Sequence, residues 1–360
     1  MRNLELMSMQ SKVSRISIYL SLLFFISNFG IKNVLSEDLY LNENTNFENT
    51  DLSFDNIYIY AWWDSENIQV DQVNSKINAY NDLRISSPTR KDVDGIKSFY
   101  GPDSSYGTGY VQYNLHEVSN ATSSLNSGNM IVGYGSRGLV NHIGEINTTG
   151  NLSVGQVMDW IYINVDIKDF SHFFIGTGTY NLKGGNLNSN NEWIGNGGNG
   201  TFNQSGGDHK VSLLSVGMES NLPDRISGVN HTFQGHGEYN LSGGTLLSSN
   251  HEEIGTHGGI GTFNQTGGQH ASSGNIMVGS FGGQGTYSMS SGTLDLVNSF
   301  NNGNDYIWIG TEGKGVFNQT GGKITAPNIG LGNGDPNGTG NGKFNQPVRW
   351  YIRCVHPYGW

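Results

Sequence analysis

The chain has 360 residues, a formal net charge of −11 and only 14% charged residues, with 53 glycines and 11% aromatic residues. The negative balance disfavours nucleic acid and anionic membranes as partners, because both require basic patches. Cys354 is the single cysteine, which excludes an internal disulfide bond. Glycine-rich turns combined with this aromatic content indicate a regular β-structure rather than a disordered chain.

The N-terminus predicts an export signal. Arg2, Lys12 and Arg15 precede the apolar run 16–26, whose eleven residues fall short of the ~20 needed to span a bilayer. We expect a signal peptide over 1–36 with cleavage after Ser36, and therefore a secreted or cell-surface protein that is not an integral membrane protein after cleavage. An uncleaved anchor helix is the alternative.

Residues 37–108 contain no repeats and are interpreted as an N-terminal capping segment. The run 52–63 is strand-like, and we expect it to pair onto the first repeat, because an open end would expose unpaired backbone groups. Trp62 and Trp63 in this run are also a candidate sugar-stacking platform.

Residues 109–346 carry internal repeats, which are the strongest pattern in the sequence. A Gly-x-aromatic segment recurs with its aromatic residue at Tyr180, Phe202, Tyr239, Phe263, Tyr287, Phe317 and Phe344. The spacings are 22, 37, 24, 24, 30 and 27 residues, which indicates a unit of about 22–24 residues with insertions. The longest insertion, around Asn221 to Phe233, is predicted to be a surface loop.

A second marker, an aliphatic residue followed by glycine, recurs at 132–133, 154–155, 175–176, 194–195, 216–217, 254–255, 278–279, 309–310 and 331–332. It places the first unit near Gly109, around Tyr113. Each unit holds two short β-like runs and no helical apolar period. Because so short a unit cannot bury its own face, the units must stack. The sequence predicts an all-β fold, a single-stranded parallel β-helix; the alternative is a β-propeller, whose blades need about 40–50 residues.

Two kinds of unit alternate, one with Tyr-Asn-Leu and one with Phe-Asn-Gln. Alternation of side chains along a strand places each Gln on the same face as its Phe. If the aromatic rings point inward, then so do Gln204, Gln265 and Gln319. We expect these glutamines to bond turn carbonyls or amides of a neighbouring unit, since buried polar groups are hydrogen-bonded.

The units at 176–346, with their Gly-Thr-Tyr-Asn-Leu and Gly-Thr-Phe-Asn-Gln strings and Gly-Gly pairs, resemble repeats of bacterial exported proteins. Such repeats occur in autotransporter-like passenger regions and in proteins with a PEP-CTERM sorting signal. The resemblance implies a β-helical protein that is secreted or lies on the cell surface of a bacterium, at the outer membrane or outside the cell. The segment 347–360 has neither a barrel nor a sorting signal and departs from the repeat, which favours a truncated or frameshifted gene; the alternative is a short capping segment.

Four side chains of the repeats suggest chemistry. His209 and His270 follow Gly-Gly at equivalent places two units apart, about 10 Å, which is too far to share a metal; we interpret them as recurring turn-side residues. Glu192 and Glu252 are similarly spaced and suggest an acid–base pair. We expect them instead to accept hydrogen bonds from turn amides.

The remaining candidates are weaker. The basic residues that a polysaccharide lyase would need do not cluster in the sequence; they are Arg137, Lys183, Lys210, Arg225, Lys314 and Lys323. One calcium-like turn surrounds Asp335, and the glycosylation sequons at Asn264 and Asn318 are by-products of the repeat. We therefore assign no catalytic, cofactor-binding or metal-binding residue and no cofactor. The sequence predicts an exported structural or adhesin-like protein that contacts surface glycans or proteins; the alternative is a carbohydrate-binding or polysaccharide-cleaving β-helix, a lyase or glycoside hydrolase.

Overall fold

The computed structural model describes residues 33–34, 38–41, 43–59, 67–85, 90–93, 96–99, 111–116, 123–148, 150–164, 167–224, 227–296, 305–332, 340–346 and 352–354. All regular elements within these ranges are β-strands, so the all-β prediction is confirmed. The described part of the chain holds no helix long and apolar enough to cross a membrane. The predicted signal peptide, apart from Asn33 and Val34, and its cleavage site lie outside the described residues.

The strands of the first half are β1 (Asn33–Val34), β2 (Leu39–Leu41), β3 (Thr45–Glu48), β4 (Asp51–Phe54), β5 (Ile57–Ile59), β6 (Ile68–Val73), β7 (Lys76–Ile85), β8 (Arg90–Val93), β9 (Ile96–Phe99), β10 (Val111–His116), β11 (Ser124–Tyr134), β12 (Arg137–Thr148), β13 (Asn151–Gln156), β14 (Met158–Asn164), β15 (Ile167–Phe174), β16 (Thr177–Asn196) and β17 (Asn199–Gln204).

Those of the second half are β18 (Asp208–Met218), β19 (Ser220–Pro223), β20 (Asn230–Phe233), β21 (His236–Leu241), β22 (Thr245–Ser248), β23 (Glu252–Thr256), β24 (Ile260–Gln265), β25 (Gln269–Ser272), β26 (Ile276–Ser280), β27 (Gln284–Met289), β28 (Thr293–Asp295), β29 (Tyr306–Thr311), β30 (Lys314–Gln319), β31 (Lys323–Ala326), β32 (Asn328–Leu331), β33 (Asn341–Asn345) and β34 (Ile352–Cys354).

Successive repeats pair in parallel and in register, and each repeat contributes a strand to three ladders. Ladder A joins the strands that carry the aromatic marker, for example β17, β21, β24, β27, β30 and β33. Ladder B joins β18, β22, β25, β28, β31 and β34, and ladder C joins β18, β23, β26, β29 and β32. The sequence indicated only two runs in each unit, because the short strand of ladder B follows the Gly-Gly turn directly.

The three ladders continue across the predicted boundary at residue 109. In ladder A, β10 pairs with β6 and β6 with β3. In ladders B and C, β11 pairs with β7, which pairs with β4 and β5. The run 52–63 is strand-like as expected, but its two strands pair with β7 and not with the predicted first repeat, because β7 lies between them and β11. β1, upstream of the predicted cleavage site, pairs with β4.

Two hairpins are inserted at the same edge of the ladders. Strands β14 and β15 pair antiparallel, and so do β19 and β20. The second hairpin is the insertion predicted as a surface loop, and most of its side chains are exposed. The hairpins touch through Phe173, whose ring centroid lies 4.8 Å from that of Phe233. Ile175, which we assigned to the aliphatic-Gly marker, ends the first hairpin and is 54% exposed, so that assignment is wrong.

The recurring glycines mark the corner between ladders C and A. Gly217 of the aliphatic-Gly marker has φ +75°, and a Cβ built on it would lie 1.9 Å from the carbonyl oxygen of Ile260. Gly261 of the Gly-x-aromatic marker faces the same corner, where a Cβ would lie 2.1 Å from the carbonyl oxygen of Val216. The two glycine markers recur together because two backbone segments meet there without room for a side chain.

The core is a column of stacked rings. From Tyr180 to Phe317 the ring centroids of neighbouring repeats lie 4.6–4.9 Å apart with near-parallel planes, and all these side chains are fully buried. Gln204, Gln265 and Gln319 are buried on the same face, which confirms the inward assignment. The amide of Gln204 donates to the carbonyls of Gly207 and Thr245, in its own turn and in the next repeat.

Candidate functional site

The candidate histidines and glutamates lie together inside the core. In the second cluster, Nε2 of His270 lies 2.9 Å from both carboxylate oxygens of Glu252, and Nδ1 lies 2.9 Å from the hydroxyl of Tyr287. Tyr287 donates to Oε1 of Gln265 at 2.7 Å. Each side chain is fully buried, and the four come from three successive repeats.

The first cluster repeats this geometry. Nε2 of His209 lies 2.8 Å from Oε1 of Glu192, and Nδ1 lies 2.8 Å from the hydroxyl of Tyr239. Tyr239 donates to Oε1 of Gln204 at 2.6 Å. Each carboxylate also accepts a hydrogen bond from a serine hydroxyl, which belongs to Ser189 in the first cluster and to Ser248 in the second.

The two clusters differ at one serine. Ser272 lies 2.9 Å from Ser248 and also bonds Glu252, whereas the equivalent position in the first cluster is Val211. Oε2 of Glu192 correspondingly has no hydrogen-bond partner among the described residues. A buried acceptor without a donor is costly, so the first cluster is the less completely satisfied of the two.

Burial and hydrogen bonding shift the ionisation of these groups. Burial alone would raise the pKa of the Glu252 carboxyl, but the charge of His270 and the bonds from His270, Ser248 and Ser272 lower that pKa overall. Burial raises the pKa of the Tyr239 and Tyr287 hydroxyls well above the ordinary value, so both hydroxyls stay protonated.

These positions correct two sequence interpretations. The predicted separation is confirmed, because one strand lies between the strands of His209 and His270 and one between those of Glu192 and Glu252. The histidines are not turn-side residues, however, since their side chains are fully buried. The carboxylates bond serine hydroxyls and imidazoles rather than turn amides. The described residues contain no group of three His, Cys, Asp or Glu that could hold a metal ion.

The outward face of ladder A carries a row of asparagines that bond one another between repeats. Nδ2 of each donates to Oδ1 of the asparagine in the preceding repeat at 2.8–3.0 Å; the row comprises Asn141, Asn181, Asn203, Asn240 and Asn264. Asn114 begins the row and donates to the carboxylate of Asp71 at 2.8 Å. Ser288 interrupts it, and Asn345 and Asn318 continue beyond.

A shallow groove of about 260 Å³ lies at the N-terminal end of this row. Its lining includes Asp71, His116 and Lys183 together with side-chain amides, and His116 lies 3.3 Å from Asp71. Burial would raise the pKa of Asp71, but hydrogen bonds from Asn114, Gln69 and His116 lower it overall. The groove thus combines an anion, a cation and amides on an open surface.

The remaining candidate residues lie outside the described part of the chain, are exposed, or belong to the asparagine row. Trp62, Trp63, Asp335 and Arg225 lie outside the described residues. Arg137, Lys183, Lys210, Lys314 and Lys323 are all exposed. The sequon residues Asn264 and Asn318 belong to the asparagine row, where their amides bond other repeats.

Sequence reasoning missed the pairing of histidine with glutamate, because Glu192 and His209 stand 17 residues apart in two different repeats. The recurrence of a histidine 17 or 18 residues after a glutamate, in two repeats that also carry the Phe-Asn-Gln string, was the signal that could have revealed it. Searches against protein-family models, curated proteins and solved structures found no match to this chain.

Proposed function

We propose that this chain is an exported, non-catalytic structural or adhesin-like protein of a bacterial surface, folded as a single-stranded parallel β-helix with repeats of about 22–24 residues. The three parallel ladders, to which successive repeats add their strands, support this architecture. Parallel pairing between repeats argues against a propeller, whose blades are antiparallel four-stranded sheets.

One observation carries the proposal. The repeats bury the residues best suited to catalysis, Glu192, Glu252, His209 and His270, and turn outward a half-buried row of asparagines and an exposed row of serines and threonines. Catalytic groups must reach the substrate, and groups inside a packed core cannot. An outer face of repeated amides and hydroxyls instead offers extended contact area, which suits a surface protein with glycan or protein partners.

The test is binding without turnover. Purified residues 37–360 should bind bacterial or host cells, or immobilised glycans, and should release no product from a broad panel of polysaccharides. Cleavage that survives replacement of both buried glutamates would place catalysis elsewhere and overturn the non-catalytic part. Absence of binding to cells, glycans and extracellular proteins would overturn the adhesive part.

Carbohydrate binding is the alternative function, and the groove at Asp71, His116 and Lys183 favours it. Its acceptors and donors match the hydroxyls of a sugar. Asp71→Ala and Lys183→Ala should weaken glycan binding at least tenfold if this groove is the site. Lys323→Ala, at an exposed position on another face, is the matched control and should leave binding unchanged.

A further inference from the structure

The hydrogen-bond partners of His270 fix where protons must lie. The amide nitrogen of Gln265 donates to the carbonyl of Thr293 at 2.9 Å, so the amide oxygen is the atom that faces Tyr287. An amide oxygen only accepts. The single hydroxyl proton of Tyr287 is therefore committed to Gln265.

It follows that His270 must donate to Tyr287. The tyrosine oxygen has no second proton to offer, so Nδ1 carries the proton in the contact at 2.9 Å. Nε2 faces a carboxylate, which also accepts, at 2.9 Å. A bond there needs a second proton, and the lowered pKa of Glu252 places that proton on the imidazole.

His209 has the same partners. The amide of Gln204 donates to Gly207 and Thr245, and Tyr239 donates to the amide oxygen. His209 therefore donates through Nδ1 to Tyr239, and its Nε2 contact with Glu192 at 2.8 Å again joins two groups that need a second proton between them.

His142 provides an internal contrast. It lies in ladder A at the position that Gln204 and Gln265 occupy in later repeats. Its Nδ1 accepts a hydrogen bond from the hydroxyl of Tyr180 at 2.8 Å, and its Nε2 donates to the carbonyl of Gly144 at 2.6 Å. One donor and one acceptor describe a neutral ring. Burial, together with the charge of His209, lowers the pKa of His142 to about 4.

Where a repeat lacks the histidine at the equivalent position, the preceding repeat also lacks the glutamate that would pair with it. Two repeats after the second cluster, the positions of Glu252 and His270 are Ile307 and Ile324. The positions of Ser248 and Ser272 become Leu296 and Ala326, and these four side chains are fully buried. The chain therefore builds this region either with both partners or as an apolar cluster with neither.

We propose that His209 and His270 are imidazolium ions paired with Glu192 and Glu252 inside the core, and that folding therefore takes up one proton per pair at neutral and alkaline pH. The titratable groups that face the two pairs are His142, Tyr180, Tyr239 and Tyr287. None of the four carries a charge at neutral pH, so each carboxylate is the nearest counterion of its imidazolium.

The direction of the pH effect follows from proton linkage. Below pH ~6.5 an unfolded histidine is also protonated, so these groups add no pH dependence there. Above it only the folded pair keeps its proton, and the chain loses stability as pH rises. Below the ordinary carboxyl pKa of 4.5 the unfolded glutamate binds a proton that the folded Glu252 resists, so stability also falls in acid.

The test measures proton uptake between pH 7.5 and 9, above the titration of exposed histidines and below that of tyrosine. For the transition that unfolds the repeats of both pairs, the equilibrium constant should rise by up to ~100-fold per pH unit, since two protons are linked. The variants Glu192→Leu/His209→Leu and Glu252→Leu/His270→Leu should each reduce this to ~10-fold. Leucine already stands beside His209 and Glu192 on the adjacent strands, at Leu187 and Leu214, so a leucine side chain fits at these positions of the ladders.

His142→Gln is the matched control, because it replaces a neutral histidine by the glutamine that other repeats have at the equivalent position. This variant should leave the pH dependence of the unfolding equilibrium constant unchanged. Nitrogen NMR of the imidazoles provides a readout that does not depend on unfolding. His209 and His270 should each show two protonated nitrogens at pH 7.5, and His142 only one. A wild-type slope equal to that of the variant in which both pairs are replaced by leucine, or an unprotonated Nε2 in either buried pair, would overturn the proposal.

Discussion

Removing His270 alone should cost far more than replacing its whole cluster. In His270→Leu the new side chain matches Leu246 and Leu294 on the flanking strands, so the shape is accommodated. Glu252 is then left fully buried beside serine hydroxyls alone, without a counterion. Breaking a buried pair in this way costs about 3–5 kcal/mol. Local opening should therefore increase by about 10²- to 10⁴-fold at pH 7.

The compensating variant copies the apolar cluster of the later repeats. It combines Ser248→Leu, Glu252→Ile, His270→Ile and Ser272→Ala, the residues found at 296, 307, 324 and 326. Replacing a buried ion pair by packed apolar residues is neutral or stabilises by about 1–4 kcal/mol. The fourfold variant should therefore be at least as stable as the wild type.

The assay is hydrogen exchange at the backbone amides of β24 and β25, because a long repeat array need not unfold as one unit. The cost of His270→Leu should also shrink as pH falls, because burial without the charge of His270 raises the pKa of Glu252 and favours its protonated form. Equal loss of protection in the single and the fourfold variant would refute the reasoning, since packing rather than an unpaired carboxylate would then explain both.

Three smaller changes test the unsatisfied and interrupted positions, each by chemical denaturation. Val211→Ser supplies the first cluster with its missing hydroxyl and should cost at least about 1 kcal/mol less than Val216→Ser, which buries a hydroxyl without that acceptor. Phe344→Tyr places a donor beside the amide oxygen of the last buried glutamine and should stabilise by about 1 kcal/mol, whereas Phe263→Tyr, which faces leucine instead, should destabilise. Ser288→Asn joins the two parts of the asparagine row and should add about 1 kcal/mol through two new bonds; no gain would mean that the row is held too loosely to contribute.

The aromatic period was enough to predict the main features of the repeats. Because side chains alternate along a strand, the position of Phe202 also determined that of Gln204, and the need to satisfy a buried amide predicted its carbonyl partners. These steps use only local geometry, so they hold for every repeat with the motif. The amide oxygen of Gln319 has no partner among the described residues, which follows the same logic, since the residue in the next repeat is Phe344 and lacks a hydroxyl.

What the sequence could not reveal depends on distances between repeats. The bond from His209 to Glu192 depends on the register of ladders B and C, which no local pattern determines. The repeat units before residue 109 were missed because they lack the glycine markers. Gln72 nevertheless occupies the glutamine row, donating to Ser75 and accepting from Tyr113 at 2.5 Å. Its conformation matches that of Gln204 although the surrounding sequence does not.

The asparagine row has an electrical direction. Every amide in it points its N–H group toward the N-terminal end, and bonds aligned in this way polarise one another. Their small dipoles therefore add along the stack instead of cancelling. The positive end of the sum lies at Asp71, whose carboxylate is placed as an anion is at the start of a helix. The two ends of the row therefore carry opposite partial charges, and the carboxylate of Asp71 compensates the positive one.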